Sequence, residues 1–174
     1  VGGANGIQVR ASGNYIQPLT ADTGGSGEIV YTATPASAIT GTNYDVSVLI
    51  VDVGGIDDGA ALIFGYADTS NYCGLLWYGA TASPDVVLFK RVAGTVTILD
   101  TANVGPVATD VLLVEVRGTG LAGSVAGVEV VTATDTFCDD AAGVGVGFGA
   151  LTDVAGDDIV TNTRLDDFTV TDAD

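Results

Sequence analysis

The sequence predicts an all-β protein, built as a two-sheet antiparallel sandwich. Three observations carry this. Short runs rich in β-branched and aromatic residues recur at regular spacing along the chain. Turn words rich in Gly, Asp and Asn separate them. No stretch of ten or more residues combines a 3.6-residue apolar period with helix caps. Ten or more such strands, with no linker and no shift in composition, read as a single sandwich or barrel domain over residues 1–174.

The strands are taken in chain order. "GEIVYTAT" (27–34), "YDVSVLIVDV" (44–53), "AALIFGYA" (60–67) and "YCGLLWYG" (72–79) alternate or run apolar, with the turn words "GGSG", "VGGIDDG" and "ADTSN" among them. "DVVLFKRV" (85–92) and "TVTILDTA" (95–102) flank the short turn word "VAGT", a hairpin signal. "DVLLVEVRG" (110–118) and "GVEVVTAT" (127–134) come next, with "GTG" between them. "GVGVGFG" (143–149) and "RLDDFTVTD" (164–172) close the chain.

The glycine run at 143–149 raises a second reading. Gly145, Gly147 and Ala150 fit a G-x-G-x-x-A phosphate-loop pattern. That pattern requires a helix immediately afterwards. The next residues, "LTDVAGDDIV", have no helical period. Gly143, Gly145, Gly147 and Gly149 instead alternate with Val144, Val146 and Phe148, the period of a strand with one small face and one apolar face. It is a strand.

Composition narrows the function. Twenty-two acids, nineteen of them Asp, face five bases, for a net charge of −17. Neutralising phosphates needs Lys and Arg, so nucleic acid is excluded as a partner, and no apolar run is long enough for membrane insertion. The start "VGGANGIQVR" carries no apolar signal core; residues 1–6 are expected to be a flexible or assembly arm. The chain has no His, so His-based triads and His metal ligands are excluded. Cys73 and Cys138 are either a disulfide, implying an oxidising compartment, or two buried free thiols.

From about residue 43 onward, the order "NYDVSVLIVDV", "AALIFGYADTSNYCGLLWYG", "VVLFKRVAGTVTILDTA" and the hairpin "LLVEVRGTGLAGSVAGVEVVTATD" resembles the concanavalin A-like (laminin G-like) jelly roll. Asp135, Phe137, Gly143 and Gly145 stand at that family's positions after the hairpin, and Asp166, Phe168 and Val170 match its closing strand. The resemblance implies a two-sheet antiparallel jelly-roll β-sandwich. Family members commonly begin with an extra strand beside the closing one. Here, either residues 7–10 or 14–19 fill that edge, or it stays open for pairing with a neighbouring chain.

Three chemistries remain. Glycosidases of this fold class use a glutamate-centred motif on one strand, whereas Glu28, Glu115 and Glu129 are isolated, so no enzyme is expected. The acidic loops "DTFCDD" (135–140) and "DVAGDD" (153–158) offer Asp139, Asp140, Asp157 and Asp158 as oxygen ligands for Ca²⁺. Sugar binding would draw on Tyr66, Tyr72, Trp77 and Tyr78, with Asp68 and Asn71 at the hairpin tip, because aromatic faces stack on pyranose rings and amide or carboxylate groups bind hydroxyls; against this, the sole Trp of a sandwich is more often a core residue than a ligand-facing one.

The sequence therefore points to a non-enzymatic structural and adhesion module on an extracellular filament or virion surface. It would present loops or a sheet edge to other copies of itself, to a larger assembly or to glycans. The alternatives are a discrete carbohydrate-binding module and a polysaccharide-active enzyme.

Overall fold

A computed structural model of the chain describes residues 7–10, 15–18, 28–33, 42–53, 59–68, 70–78, 83–105, 107–139, 145–151 and 163–173. In chain order the strands are β1 (Ile7–Arg10), β2 (Tyr15–Pro18), β3 (Glu28–Ala33), β4 (Asn43–Val53), β5 (Gly59–Asp68), β6 (Asn71–Tyr78) and β7 (Val86–Val92). They continue with β8 (Thr95–Ala102), β9 (Val111–Arg117), β10 (Gly120–Val125), β11 (Val128–Thr134), β12 (Gly145–Leu151) and β13 (Thr163–Asp172). One helical turn, α1 (Thr136–Asp139), lies between β11 and β12.

Two sheets result, all of whose pairings are antiparallel: β1-β2-β13-β4-β9-β10-β11 and β3-β12-β5-β6-β7-β8. This is the two-sheet jelly-roll sandwich expected from the sequence. The glycine run is a strand, β12, lying between β3 and β5. The edge beside the closing strand is filled: Ile16 of β2 pairs with Leu165 of β13. β10 was not among the expected strands. Its sequence, GLAGSV, is small and weakly β-forming, and it holds its place through packing. A Cβ on Gly123 would lie 2.7 Å from Val131 and 2.9 Å from Leu75, so the two sheets approach closely there.

Alternation along the strands builds the core. Tyr44, Val46, Val48 and Ile50 of β4, Leu112, Val114 and Val116 of β9, and Leu121 and Val125 of β10 face inward from one sheet. Leu62, Phe64, Cys73, Leu75, Trp77, Val86, Leu88 and Val146 meet them from the other. Each large side chain so buried contributes roughly 1.5–3 kcal/mol. The six-stranded sheet carries a second apolar cluster on its other face: Ala61, Ile63, Tyr72, Leu76, Val87 and Phe89, all buried, with Tyr66 and Tyr78 packed against them. Its central strands are thus apolar on both faces, which is why they read as continuous runs.

Two of the short hairpins close on Ala-Gly pairs with positive φ: Ala93-Gly94 between β7 and β8, and Ala126-Gly127 between β10 and β11. Positive φ at both central positions matches the right-handed twist of the strands they join.

Candidate functional site

The two cysteines meet. Cys73 on β6 and Cys138 on α1 form a disulfide across 65 residues of sequence, and both are fully buried in the core. The bond pins α1 against β5, where a Cβ on Gly65 would come within 3.2 Å of the Cys138 carbonyl oxygen. Asp135 starts the turn: its Oδ1 accepts from the N–H groups of Phe137 and Cys138, satisfying donors that a helix start leaves free. Lys90 Nζ donates to Asp135 Oδ2. Burial alone would raise the Asp135 carboxyl, but Lys90 and the two backbone donors outweigh it and hold the group below its usual range.

The disulfide lies near one end of the sandwich, and most of the expected sugar-binding residues gather at the same end. β5 bulges between Phe64 and Asp68, with Gly65 at φ +56°, and the bulge places Tyr66 on the outer face of the six-stranded sheet. The half-buried Tyr66 ring sits 6.2 Å from the Tyr72 ring at a tilt of 32°. Tyr72 in turn meets Phe89 edge-to-face at 6.0 Å. Phe89 lies over Gly74, where a Cβ would come within 2.7 Å of its ring. The Arg91 guanidinium stands 5.9 Å from the Tyr72 ring centroid, and its Nη1 donates a long 3.4 Å hydrogen bond to the Tyr72 hydroxyl.

The hairpin tip is locked before any ligand arrives. Asp68 Oδ1 accepts from Ser70 N–H at 2.7 Å, and both Asp68 oxygens accept from Asn71 Nδ2 at 3.0 Å. Asn71 Oδ1 accepts from Ala93 N–H at 3.0 Å, and Ser70 C=O accepts from Gly94 N–H at 2.9 Å, tying the tip to the neighbouring β7–β8 turn. The Ser70 backbone donor, with Asn71, holds the Asp68 carboxyl below its usual range, so it is an anion at neutral pH. Asp68 stays exposed.

Not all six residues join this rim. Trp77 is a correction: at 0 % exposure it faces inward between the sheets, so its ring cannot stack on a sugar. Its neighbours on the strand explain this. Register puts Cys73, Leu75 and Trp77 on the core side, and Tyr72, Leu76 and Tyr78 on the other. Tyr72, 1 % exposed, supports Tyr66 from beneath rather than presenting a face of its own. Tyr78 is half-buried at the opposite end of β6 from Tyr72, roughly 20 Å away along the strand. Tyr66, Asp68 and Asn71 remain together at one rim.

Of the four residues expected to bind calcium, Asp140, Asp157 and Asp158 lie outside the described residues. No group of three metal-ligating side chains occurs among the described residues. Asp139 does show an unusual feature: its Oδ1 is buried and, among the described residues, has no hydrogen-bond partner. The Tyr44 hydroxyl, in the same region, is also buried. Burial pushes the Tyr44 phenol up to about 12, and the nearby Asp139 charge pushes the same way. Residues 1–6, expected to form an arm, lie outside the described residues as well.

Sequence reasoning missed one anchor at the other end. Asp85, 4 % exposed, accepts from Val104 N–H through both carboxylate oxygens, at 2.8 and 3.1 Å, and from Gly105 N–H at 2.7 Å. Its backbone also bonds Tyr78 and Ala102. Its partners lie 19 and 20 residues further along the chain, so no local sequence signal marked the contact.

No protein-family model matches the chain, and no curated protein resembles it significantly in sequence. Solved structures resemble it in fold. A carbohydrate-binding module, CBM66 from Bacillus subtilis, is 16 % identical over 96 % of this chain and 91 % of its own, with a TM-score of 0.56. A GH43 protein, BlXynB from Bacillus licheniformis, is 14 % identical over 92 % of this chain with a TM-score of 0.63, and this chain spans 33 % of its length. Chicken galectin 2 is 6 % identical over 84 % of this chain and 99 % of its own, with a TM-score of 0.51. At such identities the likeness is one of architecture. The chain has the concanavalin A-like jelly-roll fold.

Proposed function

We propose that this chain is a non-catalytic carbohydrate-binding module of an extracellular protein. The observation that carries the reading is the rim formed by Tyr66, Asp68 and Asn71. A half-exposed aromatic ring, backed by Tyr72, stands beside an exposed carboxylate whose geometry the Ser70 and Asn71 bonds fix. Stacking on Tyr66 supplies apolar contact with the sugar ring, and Asp68 accepts from its hydroxyls without paying to become ordered. The likeness to a carbohydrate-binding module and a galectin supports the same reading. Nothing in the fold or these comparisons favours a filament or virion-surface role.

Non-catalysis rests on the carboxylates. Glu115 lies on β9 and is paired with Arg117, Glu28 opens β3 in the other sheet, and Glu129 is exposed on β11. None shares a strand with another, as a glycosidase pair of this fold class would. The buried disulfide supports an oxidising, extracellular setting. Calcium belongs to the proposal through Asp139, whose unpartnered oxygen is a hard donor suited to that ion.

The test is a glycan and polysaccharide array probed with the folded chain, followed by calorimetry on the strongest hit. Tyr66→Ala is expected to weaken binding about tenfold or more, since stacking and its covered area are lost together. Absence of any retained glycan, or equal affinity for the variant, would contradict the reading.

A further inference from the structure

With the β13 edge filled by β2, an open edge has to be sought among the terminal strands of the two sheets. Among the described residues the six-stranded sheet ends at β8, which pairs within that sheet with β7 alone. Thr95, Val96, Thr97 and Ile98 are all exposed, Val96 at 42 % and Ile98 at 56 %. Edge strands are ordinarily blunted by Lys, Pro or inward charges. From Val92 to Leu99 this chain has none of these, and no acid either, despite its net charge of −17. The pairing with β7 shifts at Leu88/Phe89, so Thr95–Ile98 is the regular stretch before that irregularity.

The hairpin fixes which backbone groups point outward. Val92 and Thr95 flank the two-residue Ala93-Gly94 turn and so exchange hydrogen bonds with each other. Antiparallel alternation makes Thr97 the next residue bonded to β7. The N–H and C=O groups of Val96 and Ile98 therefore face away from the sheet. Their side chains lie on the outer face, beside Arg91 and Phe89, their register partners.

We propose that β8 pairs antiparallel with β8 of a second copy, about a two-fold axis at Thr97, joining two six-stranded sheets into one. In this register Val96 lies opposite Ile98 of the second copy on both sides of the axis, and each such pair exchanges N–H···O bonds. The four apolar side chains extend the Phe89 cluster across the junction. Thr97 meets its own counterpart at the non-hydrogen-bonded position on the axis. Centring the axis on Ile98 instead would set Asp100 against Val96, which the chosen register avoids.

The occupant is a second copy because the stretch is self-complementary: an isologous contact matches small β-branched residues to their own kind and places no acid within it. Each copy's negative charge then acts only at a distance. Salt screens it, with a Debye length of about 10 Å at 0.1 M and about 3 Å at 1 M, so association strengthens as salt rises. A contact held by ion pairs would weaken instead. The dimer would also display two Tyr66 rims, and multivalent glycans would gain by avidity.

Sedimentation velocity of the full chain up to about 200 µM, in about 50 and 500 mM NaCl, tests this. The expected result is a concentration-dependent dimer, favoured at high salt and shifted at least about tenfold toward monomer by Ile98→Lys. Thr97→Cys, the one free thiol in the chain, should cross-link two copies under mild oxidation, and Thr95→Cys should not. Circular dichroism confirms that each variant is folded. A wild-type chain that stays monomeric at high salt, or a dimer indifferent to Ile98→Lys with no Thr97→Cys cross-link, overturns the proposal. Neither outcome bears on glycan binding, which the array measures on the monomer.

Discussion

Removing the disulfide by Cys73→Ala together with Cys138→Ala tests how far this sandwich depends on one covalent tie. The bond closes a loop of 65 residues. Chain-entropy arguments give about 4 kcal/mol of stabilisation for a loop of that length, against a total of about 5–15 kcal/mol for a typical domain. Both sulfurs are fully buried, so alanine adds a small packing loss and serine would instead bury an unpaired hydroxyl. Loss of about 4 kcal/mol should lower Tm by roughly 8–16 °C for a chain of this size. Urea denaturation of wild type and double variant, with matching m-values checked, measures the difference directly. A second consequence is local: α1 loses its tether, so the backbone amides at positions 137 and 138 should exchange faster than those of β9. A double variant within about 1 kcal/mol of wild type, with α1 still protected, would refute the reasoning, because Asp135 capping and packing alone would then hold that end.

Four further outcomes are expected. Asp85→Ala should cost about 1–3 kcal/mol and expose the Val104 and Gly105 amides to exchange, since it leaves buried donors unsatisfied; unchanged protection there would count against Asp85 as the loop's anchor. Gly74→Ala should cost about 1–3 kcal/mol in urea melts, because its Cβ would meet the Phe89 ring at 2.7 Å and the Leu62 carbonyl oxygen at 3.1 Å. The Asp135 carboxyl titrates below its ordinary value of 3.8, so its contribution is present above that pH and is lost as pH falls through the lower folded value; Asp135→Asn should flatten the acid limb of stability measured from about pH 2 to 6. Calcium should raise Tm in a concentration-dependent way that chelation reverses and Asp139→Asn removes, and an identical melt in calcium and in chelator would end that part of the proposal.

Much of the fold was legible because β-branched runs and turn words repeat so regularly. The 95–102 strand lies where its sequence put it, and the glycine run resolved as a strand by its period of two. β10 escaped notice because small residues carry no propensity signal, and only the close approach at Gly123 requires them. The site was legible in part. Tyr66, Asp68 and Asn71 share a rim because the turn that joins β5 to β6 also joins them. Trp77 stood open between sugar contact and core because β6 is apolar on both faces, so alternation could not say which face met the core. Asp85 was hidden since its partners, Val104 and Gly105, lie about twenty residues on, and no local pattern marks such a contact.

The measurement that tests the central claim most directly is an amide NMR titration of the labelled chain with the glycan that binds it best on the array. The account predicts that Tyr66, Asp68, Asn71 and Ala93 shift first and together, since the Asn71–Ala93 bond couples the two turns. Shifts centred on the opposite end, around Val104 to Val111, or no shifts at saturating glycan, would contradict it.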